Sequence, residues 1–491
     1  MWYGVSNIAA RILTFLLTPY LTRVMTGPVG QLEFGKQSLI YVWLPLLNTL
    51  FTYGMETAFF RFSSTEKDKT HLFRTQMTAL LMSTTAMVAL LVIFQGPVAV
   101  FAEIGDKPVY VAWCAAIIGL DTMLALPFAR LRMENRPRKY ALIKLAGILT
   151  FVGIIYFLFS VGERIAAADP GGVFAGLYTY YWGVGFILFA NLMQCIVQGV
   201  LLLPELKDYR PAIDPKLLKK VLIYGFPILI AGFAGNINDT LNRWMFTELY
   251  PASKDESIRQ VGIFTATVRL AVMISLAIQA FRMSAEPFFF SISKEKNAPA
   301  TYARVMKWFV IILALMFLNI TLFIDIWKGF IGPEFRDALE LVPVLLGANI
   351  FLGIYYNLTV WYKLTDRTHY GAYIMVIGAV ITVVINWLLI PVWGYVACAW
   401  GMFICYGSMM LLSYAWGQKY YPIPYEVPKL MKYLLVMVAI FGVQWMVFRN
   451  TDTLGLRLGS GVLLFIVYLG YIYTVEKTEL RTFPIIGKLI R

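Results

Sequence analysis

Residues 370–390 read Tyr370-Gly371-Ala372-Tyr373-Ile374-Met375-Val376-Ile377-Gly378-Ala379-Val380-Ile381-Thr382-Val383-Val384-Ile385-Asn386-Trp387-Leu388-Leu389-Ile390, without one Asp, Glu, Lys or Arg. An α-helix rises 1.5 Å per residue, so about 20 such residues cross the ~30 Å hydrocarbon layer of a bilayer. A helix this apolar on every side has lipid rather than water as its solvent. The uncharged run continues past Pro391 and Gly394 to Gln418, which is room for a second span. Applied to the whole chain, the same reading predicts fourteen spans. They fall at 3–25, 36–60, 73–95, 108–130, 140–161, 177–203, 217–247, 260–290, 303–327, 338–361, 370–390, 393–417, 430–448 and 456–475.

Composition agrees. The 491 residues are 59% hydrophobic and 14% charged, where a soluble protein would be about a quarter charged. The net charge of +14 does not point to nucleic acid, because Lys and Arg sit in short clusters between apolar runs. Of the 42 basic residues, 28 fall at the ends on one side and 11 at the other, with Arg11, Arg269 and Arg282 inside spans. The positive-inside rule then places both termini of a multi-pass membrane protein in the cytoplasm. No loop reaches the ~50 residues of a separate domain. No cleavable signal peptide is visible, and a span beginning this close to Met1 allows for a start further upstream.

Catalytic chemistry is poorly supplied. Cys114, Cys195, Cys398 and Cys405 lie in apolar stretches without the spacing of a zinc site or a disulfide framework. The two histidines, His71 and His369, lie beside polar loops. We expect no enzyme, catalytic residue, metal or cofactor.

The halves correspond. Tyr3-Gly4 through Arg23-Val24-Met25 parallels Tyr224-Gly225 through Arg243-Trp244-Met245. Likewise Phe34-Gly35 through Glu56-Thr57-Ala58-Phe59-Phe60 parallels Val261-Gly262 through Glu286-Pro287-Phe288-Phe289-Phe290. An even number of spans separates the copies, so they share one orientation about an axis along the membrane normal. The expected architecture is all-α: a six-helix lobe over 1–205, a second over 206–420, and two further helices with a tail over 421–491.

A charge at the centre of a span costs about 2.5–3.5 kcal/mol even on the lenient insertion scale. Seven are expected at membrane depth: Arg11, Glu56, Asp121, Asp239, Arg269, Arg282 and Glu286. They fall on polar stripes at helical spacing: Asn7, Arg11, Thr14, Thr18 and Thr22; Tyr41, Pro45, Asn48, Thr52 and Glu56; Ser275, Gln279, Arg282 and Glu286. The seventh span gathers Asn236, Asp239, Thr240 and Arg243. Stripes on the first two helices of each half predict a polar cleft. Glu56, Glu286 and Asp121 also suit gating or interfacial ion pairs, and Asp239 with its asparagines suits either a cation site or helix packing.

The residues Gly4-Val5-Ser6, Arg11, Phe15-Leu16-Leu17 and Pro19-Tyr20-Leu21-Thr22-Arg23 resemble the start of bacterial polysaccharide flippases. So do Tyr53-Gly54-Met55-Glu56-Thr57-Ala58-Phe59-Phe60-Arg61-Phe62, Arg130-Leu131-Arg132-Met133-Glu134-Asn135-Arg136-Pro137, and Asn386-Trp387-Leu388-Leu389-Ile390-Pro391-Val392-Trp393-Gly394. These are the O-antigen and exopolysaccharide exporters of the multidrug/oligosaccharidyl-lipid/polysaccharide superfamily. The resemblance implies a carrier of undecaprenyl-diphosphate-linked oligosaccharide from the cytoplasmic to the periplasmic face, working with a polysaccharide polymerase and glycosyltransferases. It implies an arginine-lined cavity and, in related members, a cation site in the second lobe. Asp239 matches an acidic ligand position of related lipid II flippases, and Asn386 matches more loosely. Those relatives follow the first-helix arginine with an acid, where this chain has Ile12.

On this reading Arg11, Arg269 and Arg282 hold the diphosphate, and Asn48, Thr52 and Gln279 bind sugar hydroxyls. Asp239, Asn236 and Asn386 serve a coupling Na+ or H+. The alternative is an organic-cation antiporter of the same superfamily, which would favour a net acidic, aromatic cavity. A membrane-embedded glycan polymerase, ligase or acyltransferase would need a positioned acid–base pair or a long outer loop, and the chain offers neither.

Overall fold

The computed structural model describes all residues except 1, 64–65, 67, 103, 105–106, 208, 366, 449–450, 452 and 482–491. The side chains at 2–8, 10, 231, 234–241 and 286–287 also lie outside the description. Among the described residues every regular element is helical. Fourteen long helices run α1 (Trp2–Val24), α2 (Gly27–Thr52), α3 (Lys69–Ile93), α4 (Val109–Met133), α5 (Pro137–Tyr156), α6 (Val184–Leu202), α7 (Pro215–Leu249), α8 (Lys254–Ser291), α9 (Ala298–Leu322), α10 (Val342–Leu358), α11 (His369–Trp393), α12 (Tyr395–Tyr420), α13 (Val427–Val443) and α14 (Leu454–Leu480). Each overlaps one expected span, and the chain is a polytopic helical membrane protein. Among the described residues, eleven of the helices are long and apolar enough to cross a membrane. Those outside that number, α1, α2 and α7, carry three of the four polar stripes.

Local chemistry sets the helix ends. Pro28, Pro137, Pro215, Pro299, Pro343 and Pro428 occupy first turns, where a missing N–H costs nothing. Asp68 caps α3 by accepting from the amides of Thr70 and His71, and Asp214 caps α7 by accepting from Lys216 and Leu217. The His71 ring lies 3.3 Å from Asp214, so one histidine links the two capped ends. Gly394, at φ +57°, separates α11 from α12, a left-handed conformation that glycine adopts without strain.

The chain packs as two units, Met1–Arg269 with Ala372–Gly401, and Leu270–Gly371 with Met402–Arg491. In the first, α5 packs against α1 and α6, α4 against α2, α3 and α6, and α7 against α2. After α2 the backbone turns at Tyr53-Gly54 into a short helix, Met55–Ser63. Met55, Ala58 and Phe59 of that helix are buried against Leu72, Leu126 and Leu217, which leaves Glu56 on another face. Helices α2 and α8 touch backbone to backbone: a Cβ on Gly35 would lie 2.0 Å from the Ile258 carbonyl oxygen, and one on Gly262 would lie 2.7 Å from that of Gln31. Gly35 and Gly262 are equivalent positions of the sequence repeat.

In the second unit α9 packs against α10, α13 and α14. Buried Lys307 on α9 pairs with Glu476 at 2.8 Å and with Glu479, both on α14. Lys429 reaches Glu476 at 2.5 Å, Tyr433 donates to the same carboxylate, and Arg304 and Trp308 donate to Glu479 at 2.5 and 2.7 Å. Two carboxylates sharing so many donors form a satisfied network, the condition under which buried charge is tolerated.

Candidate functional site

The first unit holds a chain of polar side chains. Its first pair is Glu56 with Arg132, whose guanidinium also lies over the Phe60 ring, 4.9 Å from its centroid. Arg132 is within electrostatic range of Lys144 on α5, and Lys144 of Asp121 on α4. Lys144 also lies over the Phe128 ring at 4.2 Å. Asp121 accepts from the Cys195 thiol at 3.4 Å, so this cysteine touches an acid as well as filling apolar space. The Asn191 amide donates to the Tyr41 hydroxyl at 3.0 Å. Tyr41 in turn is within electrostatic range of Arg269, and Arg269 of Arg243. Helices α2, α4, α5, α6, α7 and α8 thus each contribute at least one link.

Arg243 and Arg269 are both half-buried. Nearby, Asn386 of α11 is fully buried and its amide donates to the Asn242 side chain at 2.6 Å. The remaining Asn386 oxygen has no hydrogen-bond partner among the described residues. A buried, unused oxygen of this kind suits a cation ligand. Asn236 and Asp239, expected to share that role, lie outside the described residues, as does the Glu286 side chain.

The other expected residues are placed as follows. Arg11 is exposed on α1 and makes no ion pair among the described residues. Asn48 is half-buried, its Oδ1 has no hydrogen-bond partner among the described residues, and the Thr52 hydroxyl donates back to the Asn48 carbonyl at 2.8 Å. In the second unit Gln279 is half-buried, and its stripe neighbour Ser275 donates to Asn349 at 2.6 Å. Arg282 lies over the Tyr356 ring at 4.0 Å. It lines a small recess with Lys363 and Asn357, and the buried Asn357 amide has no partner among the described residues.

Periodicity alone does not single out Lys144, Arg132, Lys363 or the pairing of Arg243 with Arg269. Lys144 carries a signal, since it lies two turns beyond Pro137 and therefore inside the helix. The basic cluster just before it masks that signal. The partner of Glu56 has no local signal, because Arg132 is far along the chain.

The second unit also contains an apolar cavity of about 640 Å³, lined from α9, α10, α12 and α13 by residues such as Val310, Phe317, Ile354, Leu411, Met437 and Phe441.

The profile of the family described as "Polysaccharide biosynthesis protein" matches residues 1–293. The chain belongs to that family. No curated protein sequence matches it. Among solved structures, "Lipid II flippase MurJ, inward closed conformation" superposes with a TM-score of 0.72 at 11% identity, over 96% of this chain and 98% of that one. An inward-facing multidrug resistance MATE family transporter of the MOP superfamily gives 0.59 at 13%, covering 88% and 96%. A mutant of the Vibrio cholerae MATE transporter VcmN gives 0.57 at 12%, covering 86% and 96%. At such identities the likeness is one of fold, and that fold is of membrane transporters and flippases.

Proposed function

We propose that this polysaccharide-biosynthesis family member is a flippase. It moves an undecaprenyl-diphosphate-linked oligosaccharide from the cytoplasmic to the periplasmic face of a bacterial inner membrane by alternating access, with both termini inside. The observation that carries the reading is that two half-buried guanidiniums, Arg243 and Arg269, lie within electrostatic range of each other, with Tyr41 in range of Arg269. Guanidinium forks match phosphate oxygens, and two of them match a diphosphate. Arg11 and Arg282 remain candidates for contact with the diphosphate, and Asn48, Thr52 and Gln279 for contact with the glycan. The apolar cavity of the second unit suits a stretch of the prenyl chain, since only a hydrocarbon gains by entering it.

Outward movement of an anion through an inside-negative potential gains about 2.3 kcal/mol per charge per 100 mV. Asn386 and Asn242, with Asn236 and Asp239, would add coupling to Na+ or H+, and Glu56–Arg132 and Asp121–Lys144 are pairs that a conformational change could exchange. The test is reconstitution in proteoliposomes with a defined lipid-linked glycan, measuring flip with and without voltage, sodium and proton gradients. Transport that persists in the Arg243→Gln/Arg269→Gln double variant would overturn the assignment.

The likeness to multidrug transporters supports one rival, an organic-cation antiporter. Dye extrusion by the same proteoliposomes, with no glycan flip, would select it.

A further inference from the structure

At the opposite end of α14 from Glu476 the second unit has another cavity, of about 340 Å³. Four helix ends converge on it: the residues following α9 bring Asp325 and Lys328, those preceding α10 bring Glu340, the end of α13 brings Gln444 and Trp445, and the start of α14 brings Arg457. None of these residues takes part in the polar chain or the apolar cavity assigned above, apart from the shared wall at Phe441 and Pro343.

The lining has a definite chemistry. Asp325 is almost buried and pairs with Lys328 at 2.5 Å and with Arg457 at 3.4 Å. With Glu340 the two acids balance the two bases, so the cavity presents no net charge to an anion or a metal ion. Gln444 is held on both sides, donating to the Arg457 carbonyl at 3.1 Å and accepting from Ser460 at 3.1 Å. It is the buried Arg457 Nε that faces Asp325 across that 3.4 Å pair. Trp445 is about one-third exposed and leans on Phe441, with ring centroids 5.7 Å apart. A flat aromatic face beside fixed planar amide, carboxylate and guanidinium groups is what a pyranose ring needs. Its C–H face stacks on the indole, and its hydroxyls both donate to carboxylate and accept from guanidinium. An interfacial aromatic belt would also place a tryptophan here, but it would not leave a cavity holding charged and amide groups beside it. The volume lies at the lower end of small-molecule sites, enough for a sugar unit and too small for a long chain.

We propose that this cavity is a carbohydrate-binding pocket for a neutral sugar unit. On the flippase reading, on which the choice of ligand rests, it faces the periplasm and receives the glycan of the cargo as it leaves.

The test uses the full chain in nanodiscs of zwitterionic lipid, with free neutral hexoses and N-acetylhexosamines as probes and saturation-transfer NMR as readout. Transfer to the sugar C–H protons is expected. Trp445→Ala and Gln444→Ala should each weaken binding about tenfold, and Trp445→Phe should retain most of it. Thermal midpoints of the variants are measured alongside, so that loss of fold is not read as loss of binding. Absence of transfer to wild type, or unchanged binding in both alanine variants, overturns the proposal. So does displacement of bound sugar by glycerol phosphate or inorganic phosphate, which would make the pocket an anion or lipid-headgroup site. Flip of lipid-linked glycan without sugar binding would count against the pocket alone. Sugar binding without flip would count against the flippase reading alone.

Discussion

At the scale of single residues, the arginines and the Asp121–Lys144 pair make separable predictions. Arg269→Gln should lower flip by about tenfold or more while leaving expression and thermal midpoint near wild type, because a group that binds cargo contributes little to the empty fold. Arg269→Lys should recover part of the rate, as a point charge lacks the bidentate fork. Lys144→Met leaves Asp121 without its nearest cation and should cost on the order of 2 kcal/mol of stability. Asp121→Asn combined with Lys144→Met should restore most of that, which a double-mutant cycle by thermal unfolding would measure. The charges themselves were legible from sequence wherever they interrupted an apolar run, as Arg269 and Asp121 do. Their partners were not, because Lys144 and Arg132 sit close enough to span ends to read as loop charges, and the stripe that holds Arg243 does not show which arginine it approaches.

At the scale of elements, the crossing of α2 and α8 depends on two glycines. Gly35→Ala should destabilise the protein by about 1–3 kcal/mol, since the new methyl group meets the Ile258 carbonyl at 2.0 Å and backbone cannot step aside as a side chain can. Gly153→Ala on α5, where a Cβ meets nothing within 4 Å, is the matching control and should be neutral or slightly stabilising. At the start of α7 the Leu217 amide, and then the His71 ring, hold the Asp214 carboxyl below the usual carboxylate range. A group depressed by folding stabilises above its unfolded pKa and loses that contribution as pH falls through its folded one. Asp214→Ala should therefore lower the thermal midpoint at neutral pH, with the difference from wild type shrinking below about pH 4. Helix positions were legible because lipid demands long apolar runs. The repeat singled out Gly35 and Gly262 as equivalent, but periodicity carries no information on which equivalent residues touch.

At the scale of the whole molecule, the flippase reading proposed above would have the two cavities of the second unit divide the cargo by chemistry. Leu435→Trp, which adds bulk to the apolar cavity, should slow transport of long-prenyl substrates several-fold more than that of short-prenyl analogues bearing the same glycan. Equal slowing of both in the proteoliposome assay would remove the prenyl chain from that cavity. Neither cavity could be read from sequence, since each is bounded by helices distant along the chain and by residues that look like ordinary span or loop positions.

The carboxylates of α14 carry an implication for how chain length can change in this architecture. Lys307 belongs to α9, yet its counter-charges, Glu476 and Glu479, lie in the last turns of α14. A stop codon after residue 420 would strand that ammonium, so a twelve-helix version is not reached by deletion alone. It requires a second change at position 307, to Met or Leu, before or together with the truncation. The terminal helix pair is therefore mortgaged to the bundle it flanks, and gain or loss of such pairs in a lineage should leave its trace at the α9 position rather than at the point of truncation.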